Sequence, residues 1–477
     1  MTNTTFYRNI ILGSVTALLA LSSCNKQLDL KPSDDIDPSK AFRNVKDVNA
    51  GLLGAYSTLN YFSSIFYTTR ITDEVMLPSE NSTGSGVATY RWQYDGSFQH
   101  DAYYDNYKAI DRVNRVLAAI DGIESLPGEE TELKAQYKGE LLAMRAYCHF
   151  ELIRNFASGY VADSMGVIYM EKSELTKPAR LSFGETMLKI NADLVAAKDL
   201  IPSGFDDNTR ITKLAVSAMQ ARVALYEKNW PNAIKYATEV INGMPLASRA
   251  NFPKIWHEEA PAEVVWKLKR VPSDEETPLG NVYTQETFLT NPAGSRIYYA
   301  ASHELTDLFD KANDIRFSSY IVIDPQRLAD GKMPNAVIKY TNNGTTNRNL
   351  VDIKLFRTGE MYLIRSEAYA GDGQWGLGVD DLNDLRAARI SGYVDQTFAN
   401  KEALLDAIEK ERFKELAFEG HRHHDLRRWN LPITRLPQDA VNALGAVNLP
   451  PSKAQYRWPI PNSELRVNPN LKQNPFY

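Results

Sequence analysis

Cysteine is nearly absent from this chain of 477 residues, which has two. Two thiols close at most one bridge, so a small scaffold held by disulfides is excluded. An excess of positive charge is also missing. The 54 Lys and Arg stand against 59 Asp and Glu, a formal net charge of −5, whereas a nucleic-acid partner requires a basic face to meet phosphates. No segment reaches the roughly 18–20 uninterrupted apolar residues of a membrane-spanning helix. Glycine and proline, at 26 and 23, are too ordinary for a collagen-like or low-complexity chain. Signatures of catalysis are lacking too, with no phosphate-binding glycine loop, no Ser/His/Asp pattern and no cysteine-rich metal site. Asp73 and Glu74 are adjacent in sequence and do not show the separation a glycosidase pair requires. What the chain does have is aromatic residues: 7 Trp, 25 Tyr and 18 Phe. That stock can bury a large core, which excludes a disordered chain. Tyrosine exceeds phenylalanine, and it combines a flat apolar face with a hydroxyl, suited to polar ring-shaped ligands as well as to interfaces.

The N-terminus reads as an address. Residues 1–23 hold one charge, Arg8, before the apolar run Ile10–Leu21, a length that fits the hydrophobic region of a signal peptide and falls short of a bilayer span. The run ends at Leu21-Ser22-Ser23-Cys24. This pattern resembles the bacterial lipobox, in which the cysteine is acylated and becomes the first residue. Residues 1–23 are therefore expected to be a lipoprotein signal peptide and Cys24 the lipid-bearing residue, with several acyl chains holding the body on a membrane. A polar tether, Asn25 to Pro38, follows. Cys148 falls inside a helical pattern and is expected to be a small buried residue.

The rest of the chain is dominated by helical periodicity. Tyr107, Ile110, Val113, Leu117 and Ile120 form one stripe, and Leu133, Tyr137, Leu141, Met144 and Cys148 the next. Ser182 with Glu185 matches a capping box that opens a helix stopped near Pro202. Ala215, Ala218, Ala221 and Leu225 line one side of a helix, followed by Trp230-Pro231 and a second helix with Ala233, Ile234, Ala237 and Ile241. Two antiparallel helices with small residues at the crossing resemble a tetratricopeptide unit, and a similar pair recurs at 360–369 and 379–389. Val264, Trp266 and Leu268 alternate as a short strand, with Tyr320–Ile323 and Val337–Tyr340 as weaker strands. Residues 431–477 carry eight of the 23 prolines and are expected to wrap the array as an extended tail. The expected fold is mostly α: a scaffold of tetratricopeptide-like helix pairs with long loop insertions and a few short strands. Length alone suggests about three domains.

Several motifs resemble the SusD/RagB family. They are the lipobox Cys24, Leu28-Asp29-Leu30-Lys31-Pro32, and Arg145-Ala146-Tyr147 followed by Phe150; then Glu360 through Tyr369 and Leu382-Asn383-Asp384-Leu385-Arg386. Further along come Glu411-Arg412-Phe413-Lys414-Glu415-Leu416, Glu419-Gly420-His421-Arg422, Asp425 through Trp429, Pro459-Ile460-Pro461, and Asn468 through Pro475. The resemblance runs in order from Cys24 to Tyr477. It implies one SusD-like body over 24–477, with an N-terminal part 24–230 and a C-terminal part 231–477, rather than three domains. It also implies a surface lipoprotein of Bacteroidetes, anchored in the outer membrane through its lipid and facing the cell exterior. Such a protein sits over a SusC-like TonB-dependent barrel, captures oligosaccharides and delivers them for import, with no cofactor, no metal and no catalytic activity of its own. Some relatives take peptides, so RagB-like peptide capture is the alternative ligand class in the same transport role.

Sugar recognition requires an aromatic face against the C–H side of a pyranose, together with planar polar groups for hydroxyls. Eleven aromatic residues fall between 61 and 107. Trp92 and Tyr94, two apart in a segment expected to be extended, would point the same way, and Arg70 and Asp73 are possible hydroxyl partners. A second candidate is Arg296-Ile297-Tyr298-Tyr299 after the loop Asn291–Gly294, with Arg296, Tyr298 and Tyr299 as ligand contacts. The cluster His421-Arg422-His423-His424-Asp425 has metal-like spacing but is flanked by Arg427 and Arg428, and a structural polar network is the expected role. Trp375, in the glycine-rich turn Gly371–Gly378, is expected to pack between two helices.

Overall fold

The computed structural model describes residues 41–477 except 82, 272–276 and 345. The expected signal peptide, Cys24 and the tether to Pro38 lie outside these residues. The principal helices are α1 (Val45–Tyr56), α2 (Phe62–Ile71), α3 (Val87–Tyr90), α4 (Asp101–Ile120), α5 (Glu129–Phe156), α6 (Phe183–Leu200), α7 (Lys213–Glu227), α8 (Trp230–Gly243), α9 (Thr358–Gly371), α10 (Trp375–Arg389), α11 (Lys401–Glu415), α12 (Arg422–Trp429) and α13 (Asn462–Val467). The strands are short: β1 (Val75–Met76), β2 (Val264–Leu268), β3 (Ala300–Ala301), β4 (Ile321–Ile323), β5 (Asn335–Val337), β6 (Ile353–Arg357), β7 (Ile433–Thr434) and β8 (Asn448–Leu449).

Local chemistry sets the helix ends. Ser182 accepts a hydrogen bond from the Glu185 N–H while its own N–H donates to the Glu185 carboxylate, the reciprocal box that starts α6. Thr212 caps α7, and Pro231 occupies the first turn of α8, where a missing N–H costs nothing. Ala215, Ala218 and Ala221 on α7 and Ala233 and Ala237 on α8 are fully buried, so the two helices approach closely, as their small residues require.

Consecutive helices from α4 to α8 stack on one another, and α8 packs directly on α9 although 114 residues separate Gly243 from Thr358. The array is one run of helix pairs interrupted by an insertion. α10 and α11 complete it around a second apolar cluster of Leu363, Leu382, Leu385, Leu404 and Ile408, with Trp375 packed against its rim. Along the C-terminal half of α5 nearly every residue is buried, Cys148 among them, so this helix is the central pillar.

The insertion carries most of the sheet. β2 pairs antiparallel with β6, β1 with β3, and β4 with β5. The strand expected at Val337–Tyr340 lies instead at Asn335–Val337, where it pairs with β4. The alternation read at 264–269 is hidden by burial of both faces, since Val265 and Trp266 are each 1% exposed or less.

The tail follows the array as expected, with β7 and β8 paired and one short helix, α13. Tail and α12 together meet the unsatisfied carbonyls at the end of α5: Asn474 Nδ2 of the tail donates to Phe156 O at 3.0 Å, and Arg427 Nη1 of α12 donates to Arg154 O at 2.6 Å. Where the insertion meets the array lies a buried ion network. Glu415 accepts hydrogen bonds from Arg357, Arg389 and Arg316, and these arginines also reach Glu263, Glu419 and Asp314.

Candidate functional site

The site is built on the C-terminus of α2. A helix end leaves carbonyls without partners, and here a distant arginine takes them. Arg435, from the tail, donates to the carbonyls of Arg70, Ile71 and Thr72, and also to those of Tyr90 and Ala446. Trp92 Nε1 donates to Ile71 O at 2.9 Å. The indole is thereby pinned at the helix end, with the Arg435 guanidinium 4.6 Å from its ring centre. Burial pushes the Arg435 guanidinium down to about 10.

From Trp92 the stack continues through the molecule. Arg435 lies 3.9 Å from the centre of the Tyr90 ring, Tyr90 is 6.1 Å from Tyr299, and Arg70 sits between Tyr299, at 4.4 Å, and Phe66, at 3.1 Å. Two guanidiniums are interleaved among four rings, each over ring faces whose quadrupole favours a cation. The two stretches singled out in the sequence are thus brought side by side. Asn81 Nδ2 donates to Tyr298 O at 2.8 Å, and the Tyr299 hydroxyl donates to Ser85 O at 2.7 Å.

The named residues occupy three depths. Arg70, Asp73 and Tyr299 are buried, at 2%, 2% and 0% exposure. Arg70 Nε and Nη1 have no hydrogen-bond partner among the described residues, and burial pushes this guanidinium down to about 10. The Asp73 carboxylate is taken up by Arg422, with Nε at 2.9 Å and Nη2 at 2.7 Å. Trp92 and Tyr298 are partly exposed, and Arg296 is exposed. Tyr94 is mostly buried: it stacks on Trp458 at 5.3 Å, and its hydroxyl donates to Gln455 O.

The segment around Trp92 is not extended. Trp92 ends the turn after α3 with φ of +55°, a left-handed conformation that costs a bulky residue about 1–2 kcal/mol. Trp92 and Tyr94 therefore diverge, the first toward Arg435 and the second toward Trp458. Between them opens a shallow hollow of about 500 Å³, with Gln93 and Asp95 exposed at its rim and Phe98 and Gln455 in its wall. It offers ring faces beside amide and carboxylate groups, which suits a polyhydroxylated ring. Arg435 and Gln455 carried no sequence signal, because both come from the tail more than 340 residues after Trp92.

Beneath the site, Glu74 is buried and accepts from the Phe418 N–H at 2.8 Å. Burial first, then the neighbouring Asp73, pushes it up to about 7. A folded value above the unfolded one favours the protonated form. Stability is therefore full below about pH 4.5 and falls as pH rises through 7. Glu74→Gln keeps an oxygen for Phe418 and cannot ionise. Its stability is expected to match the parent at pH 4 and to exceed it at pH 8, by roughly 3 kcal/mol in unfolding free energy. Urea titrations at the two pH values check this. Glu304, also pushed to about 7 by burial and Asp73, leaves a residual slope.

The histidine cluster is packed into the core. His421, His423 and His424 are buried, and burial holds each far below the usual histidine value. Asp425 gives one oxygen to Arg412 and the other to Arg428, at 2.9 and 2.8 Å. Among the described residues no three His, Cys, Asp or Glu are placed to hold a metal ion.

Two family models match the chain. Residues 26–225 match one described as "Starch-binding associating with outer membrane", and residues 312–477 match the SusD family. A SusD-like protein of Formosa agariphila is 24% identical over 98% of this chain and 99% of its own length. The starch-binding protein SusD of Bacteroides thetaiotaomicron is 35% identical over a shorter stretch, 26% of this chain and 22% of that protein. Among solved structures, a putative sugar-binding protein of Bacteroides vulgatus superposes with a TM-score of 0.76 at 24% identity, covering 92% of this chain and 99% of that one. With matching models over both its N-terminal and C-terminal parts, and relatives that align from end to end, the chain belongs to the SusD/RagB family.

Proposed function

We propose that this protein captures oligosaccharides at the cell surface, without catalysis, and delivers them to a SusC-like TonB-dependent outer-membrane barrel. One observation carries the reading: a pinned, partly exposed indole at Trp92 borders a shallow hollow with exposed amide and carboxylate groups. The family description of starch binding with outer-membrane association supports it. Trp92, Tyr94, Arg296 and Tyr298 supply the contacts in this reading, and the buried Arg70, Asp73 and Tyr299 hold the loops that present them. Cys24 carries the lipid that keeps the body at the outer membrane, facing outward. Asp73 and Glu74 take no part in hydrolysis, being tied to Arg422 and Phe418.

Capture by stacking over a shallow surface makes each contact modest, so specificity follows from shape. Calorimetry of the purified protein in detergent against plant, host and microbial glycans is expected to give heat with one structural class and none with peptide digests. Heat from peptide digests alone would replace the saccharide reading with the RagB-like one. Release of shortened product from any bound glycan would overturn the non-catalytic assignment.

A further inference from the structure

We propose that a second ligand site, separate from the Trp92 hollow, takes a saccharide bearing a carboxylate or sulfate group, in the cleft between the helix array and the C-terminal arm. The cleft has a volume of about 620 Å³ and is bordered by the α7–α8 junction, the end of α9, the first half of α11, the end of α12, and Tyr456–Arg457. That size suits a small ligand of one to three rings.

Two indoles are set in place at its wall. Trp230 lies against the backbone of Gly371, where an added Cβ would overlap the ring. Glycine is therefore what lets the indole settle there. Trp429 Nε1 donates to Glu367 Oε1 at 3.2 Å, and the Arg428 guanidinium lies 4.1 Å from its ring centre. Both indoles remain partly exposed. Rings held in this way lose little freedom when a ligand stacks on them.

The charge in the cleft is positive although the whole chain is acidic. Five cationic side chains line it against three carboxylates, on a chain of formal charge −5. Two of those carboxylates are already engaged, Glu367 with Arg428 and Glu409 with Arg422. Arg427 and Arg457 have backbone carbonyls as their partners and, among the described residues, form no ion pair. Arg427 donates to Arg154 O and Ala157 O, and Arg457 donates to Ser158 O and Pro451 O. The two guanidiniums sense each other: burial and then Arg427 hold Arg457 below its ordinary value. Carbonyl dipoles orient these cations without neutralising them, so an anionic group entering the cleft meets full charges. Indole faces for the C–H side of a sugar beside guanidiniums for its acid group match a uronate or a sulfated ring.

The saccharide part of this assignment rests on the capture function proposed above, whereas the preference for an anion rests on the cleft alone. The test is calorimetry of the full protein with a galacturonate trisaccharide, a sulfated disaccharide, and the neutral counterpart of each. An acidic ligand is expected to bind more tightly than its neutral counterpart, with affinity falling as salt is raised. Arg457→Gln and Trp230→Ala are each expected to weaken that binding about tenfold or more, while Trp92→Ala leaves it unchanged. Which acidic probe binds separates carboxylate from sulfate. Arg457 is partly exposed, and glutamine there retains a donor, so an unchanged melting temperature separates lost binding from lost fold. Three results would overturn the site: neither acidic probe binds, the acid and neutral forms bind alike, or Trp92→Ala alone abolishes binding. A neutral-glycan panel without heat, beside acidic binding abolished by Arg457→Gln, would sink the Trp92 reading and leave this site standing.

Discussion

Glu415→Ala is expected to lower the free energy of unfolding by about 3–5 kcal/mol, the largest effect of any single substitution outside the apolar core. The Glu415 carboxylate accepts four hydrogen bonds from three guanidiniums: Arg357 Nη1 at 2.9 Å, Arg389 Nη2 at 3.0 Å, Arg316 Nη1 at 3.0 Å and Arg389 Nε at 3.1 Å. All four side chains are essentially inaccessible, at 1% exposure or less. Removing the acid leaves buried cations short of their counter-charge, which costs far more than the same ion pair is worth at a surface. The arginines hold the Glu415 carboxyl well below the usual carboxylate range. Its contribution is therefore present above the unfolded value of about 4.5 and is lost as pH falls below it. The variant should thus unfold at lower urea concentration at pH 7, and its stability should fall less steeply toward pH 3. A loss under 1 kcal/mol at pH 7 would mean that Glu263 and Glu419 compensate fully, and that Glu415 is not the centre of the network. Replacing the whole network with apolar residues is a different experiment and need not destabilise. The network's particular contribution is to fix how β6 and the residue before β2 dock on α10 and α11.

Trp92→Ala is expected to weaken binding of neutral saccharides by about thirtyfold or more, the loss typical of a truncated aromatic anchor at the centre of a contact surface, roughly 2 kcal/mol. Two contributions combine. The ring face is removed, and the φ of +55° at residue 92 is no longer held by the bond from the indole to Ile71 O. Trp92→Phe separates them, because it retains a ring and loses the N–H. An intermediate affinity is expected for that variant. Calorimetry with the tightest-binding neutral glycan of the panel measures both, and affinity in Trp92→Ala equal to the parent would place that ligand elsewhere.

Much of the fold was legible along the chain because it is locally encoded. The capping box at Ser182, the proline of α8 and the alanines of α7 each act within a few residues, so spacing alone reveals them. The insertion between α8 and α9 was legible as a break in periodicity. Of its strands, Val264–Leu268 was legible from its alternation, whereas the one expected at Val337–Tyr340 lies at Asn335–Val337, where its pairing with Ile321–Ile323 sets its position. The candidate site was half legible. The aromatic concentration at 61–107 and the pair Tyr298 and Tyr299 pointed to the two loops that lie together. The extended geometry expected at 92–94 fails because a left-handed turn intervenes.

By itself, then, the sequence determined the helix-pair array, its interruption, the motifs of the SusD/RagB family and the aromatic stock available for binding. Only the tertiary structure decided which of these groups are buried supports and which remain at the surface. Asp73 and the histidine cluster are chemically plausible as contacts or ligands, yet each is enclosed by arginines from distant segments. Arg435, which carried no signal in the sequence, and Arg427, noted there only within a family motif and as a flank of the histidines, cap helix ends near the two proposed sites. The physical reason is that a helix end or a buried charge must find its partner wherever the chain passes, and no spacing rule in one dimension records where that will be.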